Sequence, residues 1–267
     1  MPNPVLQRQF APTPTTNNGR GSATATADTA LTTSAPPAPT VPVTEGGMSI
    51  GGTTRATFVL LVILMGAGVF GWRSVDEFEG MQNPGLLFGA LIGAVALAIA
   101  ASFIPKLAAV LGPLYAGVEG FLLGAISHVY EIQFEGIVLQ AVLATGAVFV
   151  VMLTLFVTRT IKVTQRMRSW VIGATIGVAL FYLVSIVLSF FNVGIPFVWD
   201  TGPIGIIFSL VVIGVAAFNL LLDFDLIERG TAAGMPRFMN WYAAFGLMVT
   251  IVWLYLEMLR LLARVRQ

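Results

Sequence analysis

Apolar residues in this chain come in long continuous runs instead of alternating with polar ones. A helix rises about 1.5 Å per residue, so roughly 20 apolar residues cross the hydrocarbon core of a bilayer. Continuous runs favour helices over the strands of a membrane barrel, in which apolar and polar positions alternate. The pattern predicts an all-α integral membrane protein, a bundle of seven transmembrane helices. The predicted spans are at about 56–72, 84–104, 108–128, 136–158, 170–191, 203–222 and 238–259.

Residues 1–54 have a different composition from the rest of the chain. They are rich in Ala, Pro, Thr, Ser and Gly and contain no apolar stretch long enough to pack. Such a segment cannot bury enough surface to offset the entropy of ordering it, which predicts a disordered cytoplasmic tail. Since it lacks the short apolar core and cleavage site of a secretory signal, we expect it to stay on the mature protein.

Composition supports the membrane assignment and excludes several function classes. Hydrophobic residues make up 57% of the chain and charged residues 10%, whereas a soluble domain has about 25% charged residues. The lipid bilayer is therefore the principal expected partner. The formal net charge of +1 indicates no nucleic-acid partner.

The residue inventory also argues against an enzyme. There is no cysteine and one histidine, His128, which excludes thiolate metal sites and multi-histidine centres. The two lysines, Lys106 and Lys162, fall in predicted loops, and no glycine-rich nucleotide loop is present. We expect no catalysis and no cofactor.

The distribution of basic residues predicts the orientation in the membrane. Lys and Arg collect in the second, fourth and sixth predicted loops, and acidic residues in the first, third and fifth. Because basic loops stay cytoplasmic, the N-terminus is predicted to be cytoplasmic. Three arginines at the predicted outer C-terminus, Arg260, Arg264 and Arg266, conflict with this rule. Either that end is short enough to escape the rule, or the last segment re-enters without crossing.

Four carboxylates fall within or at the ends of predicted spans: Glu119, Asp223, Asp225 and Glu257. Each needs an explanation, because inserting an ionisable group at the centre of a membrane helix costs about 2.5–3.5 kcal/mol on insertion scales. Two interpretations of Glu119 stay open, a protonatable or cation-coordinating group in an internal path and a protonated group hydrogen-bonded between helices. Glycines flank it on its own helix, which allows close packing or room for water.

Asp223 and Asp225 are two residues apart and so point about 200° from one another on a helix. Asn219 is four residues before Asp223 and shares its face, which predicts a polar patch for ion binding or pH sensing. The alternative is a solvated acidic helix end beside Arg229. Glu257 has Arg260 at the i+3 position, so a structural ion pair is predicted there. For His128 a local contact with Glu131 and pH sensing are both open.

The segment LLLDFDLIERG, residues 220–230, resembles the end of the sixth helix in the bacterial branch of the Bax inhibitor family, the YccA-like or transmembrane Bax inhibitor motif proteins. Many members have a sequence like YDTQLI followed by a glycine. Here Asp223-Phe224-Asp225-Leu226-Ile227 precedes Gly230. The resemblance extends over about 55–267 and is supported, less specifically, by EGFLLG in the third span and by the leucine- and tyrosine-rich last helix.

The resemblance implies six helices around a central seventh, a bacterial inner membrane and, as in some bacterial members, a pH-dependent calcium leak. That leak is attributed to two aspartates, in the sixth and seventh helices, that share protons as a coupled pair. Asp223 matches the first. Met248 stands near the position of the second, and the LYLE containing Glu257 comes nine residues later. Asp225 or Glu119 substituting for the second aspartate is a further hypothesis.

Two functions follow as alternatives. The first is an ion leak channel or transporter for calcium or protons, with Asp223, Asp225 and Glu119 along its path. The second is a non-transporting membrane regulator whose tail and loops bind other membrane proteins or a quality-control protease.

Overall fold

The computed structural model describes residues 46–76, 80–81, 84–191 and 202–267, and most of these lie in seven long helices. Each helix is long and apolar enough to span a membrane, which confirms the predicted fold class. Two two-residue strands, β1 (Val75–Asp76) and β2 (Gly80–Met81), pair between the first two helices. The helices are α1 (Ile50–Trp72), α2 (Pro84–Phe103), α3 (Ala108–Gln133), α4 (Ile137–Val157), α5 (Gln165–Phe190), α6 (Pro203–Ala232) and α7 (Met239–Arg266).

The predicted tail, residues 1–54, lies outside the described residues as far as residue 45, and its last part is corrected by the structure. Helix α1 begins at Ile50, six residues before the predicted span. The Ser49 hydroxyl caps it by accepting a hydrogen bond from the Gly52 amide at 3.0 Å. The hydroxyls of Thr53 and Thr57 bond the backbone carbonyls four residues earlier, so polar residues are accommodated in the first turns.

Several other helices continue past the predicted spans. Helix α6 runs to Ala232 instead of 222, so Asp223 and Asp225 lie inside it, and α7 runs to Arg266 instead of 259. Hydropathy records only where a helix is apolar. A helix ends where its backbone hydrogen bonds end, and polar residues beyond the hydrocarbon can prolong it.

Helices α1 and α3 approach so closely that only glycine fits between them. A Cβ atom added to Gly124 of α3 would lie 1.9 Å from the carbonyl oxygen of Gly68 in α1, and one added to Gly120 would lie 2.2 Å from that of Leu64. Small residues allow this backbone approach in membrane helix pairs. Of the glycines around Glu119, Gly120 and Gly124 therefore lie against the α1 backbone, whereas Gly117 has open space at its Cβ position.

Helix α7 packs against α1, α3, α4 and α6. Its buried side chains enter two apolar clusters, one with α4 and α6 through Leu254 and Leu259, and one with α1 and α3 through Phe245 and Met248. Helices α2 and α5 have few buried residues in their apolar stretches and expose large apolar side chains such as Phe103 and Trp170. This surface suits contact with lipid.

Candidate functional site

Asp223 lies in α6, nine residues before its C-terminal end, which is about 13 Å along the helix. The Thr250 hydroxyl of α7 donates to its Oδ2 at 2.6 Å. The same hydroxyl also lies 3.2 Å from the Gly246 carbonyl oxygen, one turn earlier on α7. A Cβ atom at Gly246 would be 3.6 Å from Asp223 Oδ1, so the α7 face opposite this carboxylate consists of a hydroxyl and a glycine.

Asp225 is buried and is held by two arginines. Its Oδ1 accepts from Arg229 Nε at 2.8 Å and its Oδ2 from Arg168 Nη2 at 2.7 Å. Arg229 is one turn further along α6, whereas Arg168 comes from the first turn of α5. Both carboxylate oxygens are thus occupied by cations, and the ion pairs join α5 to α6. Nearby, Arg159 pairs with Glu228 at the surface.

Asn219 does not join Asp223 in a patch. Its Nδ2 donates to the Thr175 hydroxyl of α5 at 2.7 Å and to the Val215 carbonyl at 2.9 Å. No hydrogen bond between Asn219 and Asp223 is found in the described part of the chain. Although the two side chains are one helical turn apart, one turns toward α5 and the other toward α7.

Glu119 is partly buried in α3, and the Tyr115 side chain one turn earlier interacts with its carboxylate. Tyr115 in turn packs edge-on against Phe245 of α7, with ring centroids 5.2 Å apart. The structure therefore places Glu119 with a tyrosine on its own helix and does not bring it to Asp223 or Asp225 by any hydrogen bond among the described residues.

Glu257 is 1% exposed and accepts two hydrogen bonds on one oxygen. Arg260 Nη1 and the Tyr182 hydroxyl of α5 each lie 2.7 Å from its Oε1. The other oxygen, Oε2, is buried without a hydrogen-bond partner in the described residues. The guanidinium of Arg260 lies over the Tyr182 ring, 4.9 Å from its centroid, so the predicted pair is part of a three-residue cluster joining α5 and α7.

The other C-terminal arginines are also bound to the protein. Arg264 is buried and donates to the Gly205 carbonyl at the start of α6 at 2.7 Å. Arg266 donates to the Glu135 carbonyl in the α3–α4 connection at 2.8 Å. These contacts attach both arginines to backbone carbonyls of other segments.

One interpretation expected a local contact of His128 with Glu131, and no hydrogen bond or ion pair joins the two in the described residues. His128 stacks on Trp72 of α1, with ring centroids 4.5 Å apart. Glu131 instead accepts from the amides of Gly136 and Val138 at 2.6 and 3.0 Å. A carboxylate at a helix N-terminus binds unsatisfied amides in this way, so Glu131 closes the start of α4.

Two apolar cavities, of about 750 and 590 Å³, lie between α1 and α4. They share Thr57, Leu61 and Phe149, so they follow one another along α1. Neither is lined by any of the four carboxylates. They form a mostly apolar groove, whose second cavity is also lined by Arg159, Glu228 and Phe224, the residue that follows Asp223.

The whole chain can be placed in a family. A family model described as Bax inhibitor 1 like matches residues 3–267. The chain belongs to the Bax inhibitor 1 like family. This match confirms the resemblance drawn from the end of α6. No curated protein matches the chain.

In this Bax inhibitor 1 like protein the side chain opposite Asp223 is a threonine. Met248, near the position expected for a second aspartate, is fully buried in the apolar cluster with α1 and α3. Thr250, two residues later, is the group that meets Asp223. Sequence reasoning missed it by considering only ionisable residues within the spans. The position of a hydroxyl side chain within an apolar helix was the sequence feature that could have indicated Thr250 as a partner.

Proposed function

We propose that this Bax inhibitor 1 like protein is a pH-sensitive leak channel or transporter for calcium or protons, and that Asp223 is the carboxylate on which it depends. The observation that carries the proposal is the pairing of Asp223 with a neutral hydroxyl across the α6–α7 contact. We place the protein in a bacterial inner membrane with a cytoplasmic N-terminus, as the family resemblance and the basic loops indicate.

Among Asp223, Asp225 and Glu257, the carboxylates that α6 and α7 hold away from the surface, Asp223 can change its charge at least cost. Protonating Asp225 or Glu257 would weaken ion pairs, and it would leave Arg168 or Arg260, each about one-third exposed, without its counter-charge. Asp223 forms no ion pair in the described part of the chain, so gaining or losing a proton breaks none. Glu119, held by a tyrosine, is a second candidate for the path, and Asp225 acts in positioning α5 against α6.

Conduction requires a change from the arrangement described here. The apolar cavities do not reach Asp223, and α6 and α7 are joined there by the Thr250 hydrogen bond. Parting of these helices would open a route to the carboxylate, and its charge state would bias that opening. This is how a single buried acid can couple pH to ion flow.

Flux through purified full-length protein in proteoliposomes tests the proposal. Internal pH-sensitive and calcium-sensitive dyes report proton and calcium entry after an imposed pH step. We expect flux above protein-free vesicles, lost in Asp223→Asn and retained in Glu228→Gln. The second variant is a matched control, because it removes a surface carboxylate from the same helix. Absence of flux for both ions, in protein that is monodisperse, would overturn the transport proposal.

The orientation has a separate test. A reporter active on only one side of the membrane, fused after Gln267, should report the outer side if seven helices cross from a cytoplasmic N-terminus. A fusion in the Glu228–Arg237 region should report the cytoplasm. An inside signal from the Gln267 fusion would contradict the proposed topology.

A second candidate, a non-transporting regulator that binds other membrane proteins, is favoured by the α1–α4 groove. The groove is mostly apolar, is not lined by Asp223, Asp225 or Glu257, and has room for a partner side chain or helix face. A bulky substitution at Gly146, which lines the groove and has open space at its Cβ position, should abolish partner binding and leave flux unchanged. Both candidates are non-enzymatic.

A further inference from the structure

We infer that the ion carried at Asp223 is a proton and not calcium, an inference that rests on the proposed function. The described site does not fit a divalent cation, and it does fit a proton.

Calcium takes six to eight oxygen ligands at about 2.3–2.6 Å, usually with several carboxylates among them. Asp223 brings one carboxylate. Across from it, α7 brings the Thr250 hydroxyl and the glycine Gly246. The Gly246 carbonyl already lies within hydrogen-bond distance of that hydroxyl. In the part of the chain that the structure describes, no three Asp, Glu, His or Cys side chains are grouped to hold a metal.

The nearest further carboxylate along α6 cannot complete a calcium site. Both oxygens of Asp225 are bound by guanidinium groups, at 2.7 Å from Arg168 and 2.8 Å from Arg229. A divalent cation would have to displace these arginines and then lie beside their positive charges. The remaining charged pair at this end, Arg159 with Glu228, is mutually neutralised. The charges near Asp223 therefore offer no excess negative potential to a cation.

Binding a proton requires fewer oxygen ligands than binding calcium does. In the ionised state the Thr250 hydroxyl donates to Asp223 Oδ2 at 2.6 Å. When a proton binds the carboxylate, an O–H bond forms on Asp223, and that group can donate to Thr250 Oγ1, since a hydroxyl both donates and accepts. The hydrogen of Thr250 then turns to the Gly246 carbonyl, which lies 3.2 Å away. The pair stays hydrogen-bonded in both states.

The experiment measures proton and calcium flux in the same proteoliposomes of full-length protein, under one pH step and with calcium outside. We expect proton flux that is lost in Asp223→Asn, with calcium entry no faster than in protein-free vesicles. Calcium entry that is lost in Asp223→Asn would overturn this inference and leave the proposed function standing. Flux of neither ion would overturn the proposed function, and the inference with it.

Two substitutions at Thr250 test the hydroxyl itself. Thr250→Ser keeps a hydroxyl that can reverse its hydrogen bond, so proton flux should stay within about twofold of the original. Thr250→Val keeps the shape and should lower proton flux about tenfold, the size expected from the loss of one hydrogen bond. Equal flux in the two variants, both monodisperse on gel filtration, would contradict the role given to the hydroxyl.

Discussion

The α6–α7 pair holds one buried carboxylate toward each of its ends, and the two are enclosed differently. Asp225 binds Arg168 and Arg229, whose side chains are 33% and 55% exposed. Glu257 binds Arg260, which is 32% exposed, and Tyr182. Glu257 itself is 1% exposed against 6% for Asp225, and one of its oxygens lacks a hydrogen-bond partner in the described residues. The Asp225 end thus has two arginines, one of them more than half exposed, whereas the Glu257 end has one arginine and the more enclosed carboxylate.

This comparison separates structural carboxylates from a carboxylate that can change its charge. The depth of burial alone does not identify the carboxylate that can change its charge, because Glu257 is the most buried of the four and yet pairs with Arg260. Asp223 lies two residues from Asp225 and has a hydroxyl where its neighbour has two cations. The distinguishing feature is the charge of the partner side chain. Variants at both ends test this distinction.

The largest effect is expected for Glu257→Ala. Removing one partner of a buried ion pair costs about 3–5 kcal/mol, and the lower end of that range applies because Arg260, which would lose its partner, is 32% exposed. We expect a loss of that size in the free energy of unfolding, measured by denaturation in mixed detergent micelles. Glu257→Gln, which keeps an acceptor for Arg260 and Tyr182, should lose less. A loss smaller than that of Asp225→Ala would contradict the assignment of the Glu257 end as the more enclosed one.

Asp225→Ala should come second, at about 2 kcal/mol. Two hydrogen bonds to charged groups are lost, each normally worth about 1.5–3 kcal/mol, but Arg168 and Arg229 are exposed enough to be hydrated after the change. The same unfolding assay at low and high salt checks this. The loss should shrink at high salt, because exposed charges are screened. A salt-independent loss would indicate that this end is closed to solvent.

Thr250→Val should lower the free energy of unfolding by about 1 kcal/mol, the usual value of one neutral hydrogen bond. The change leaves both arginine-held carboxylates untouched, so it isolates the α6–α7 contact at Asp223. Thr250→Ser is the control and should lose less, since the hydroxyl is kept. A loss as large as that of Glu257→Ala would mean that Asp223 is a structural group like the other two.

The smallest effect is expected for Glu228→Gln. Its partner Arg159 is 62% exposed and Glu228 itself is 37% exposed, and surface pairs of this kind contribute about 0–1 kcal/mol. The midpoint of unfolding should stay close to that of the original chain. A loss equal to that of Asp225→Ala would show that exposure does not separate the pairs at this end.

Much of the architecture could be predicted from the sequence, whereas the helix ends could not. The seven apolar runs predicted seven helices, but α6 extends ten residues beyond its predicted span. The free energy of transferring a helix from water to lipid depends on its composition. Apolar runs long enough to span the membrane can therefore be recognised without knowledge of the fold. The start of α1 depends instead on the cap that Ser49 provides, and the same segment is held by a hydrogen bond from the Ser49 amide to Asn240 of α7.

The contacts of the candidate site also divide into those that the sequence predicts and those that depend on helix packing. The contacts of Glu257 with Arg260 and of Asp225 with Arg229 join residues three and four apart in one helix, and helical periodicity alone makes them neighbours. The contacts of Asp223 with Thr250, Asp225 with Arg168, and Glu257 with Tyr182 join different helices. They depend on how far one helix is shifted and turned against the next, which is decided by the packing of whole surfaces such as the glycine contact of α1 and α3. The carboxylates that lie within the membrane, and those that have an arginine three or four residues away, could be predicted from the sequence. The groups of other helices that meet them could not, because helix packing brings together residues that are far apart in the chain.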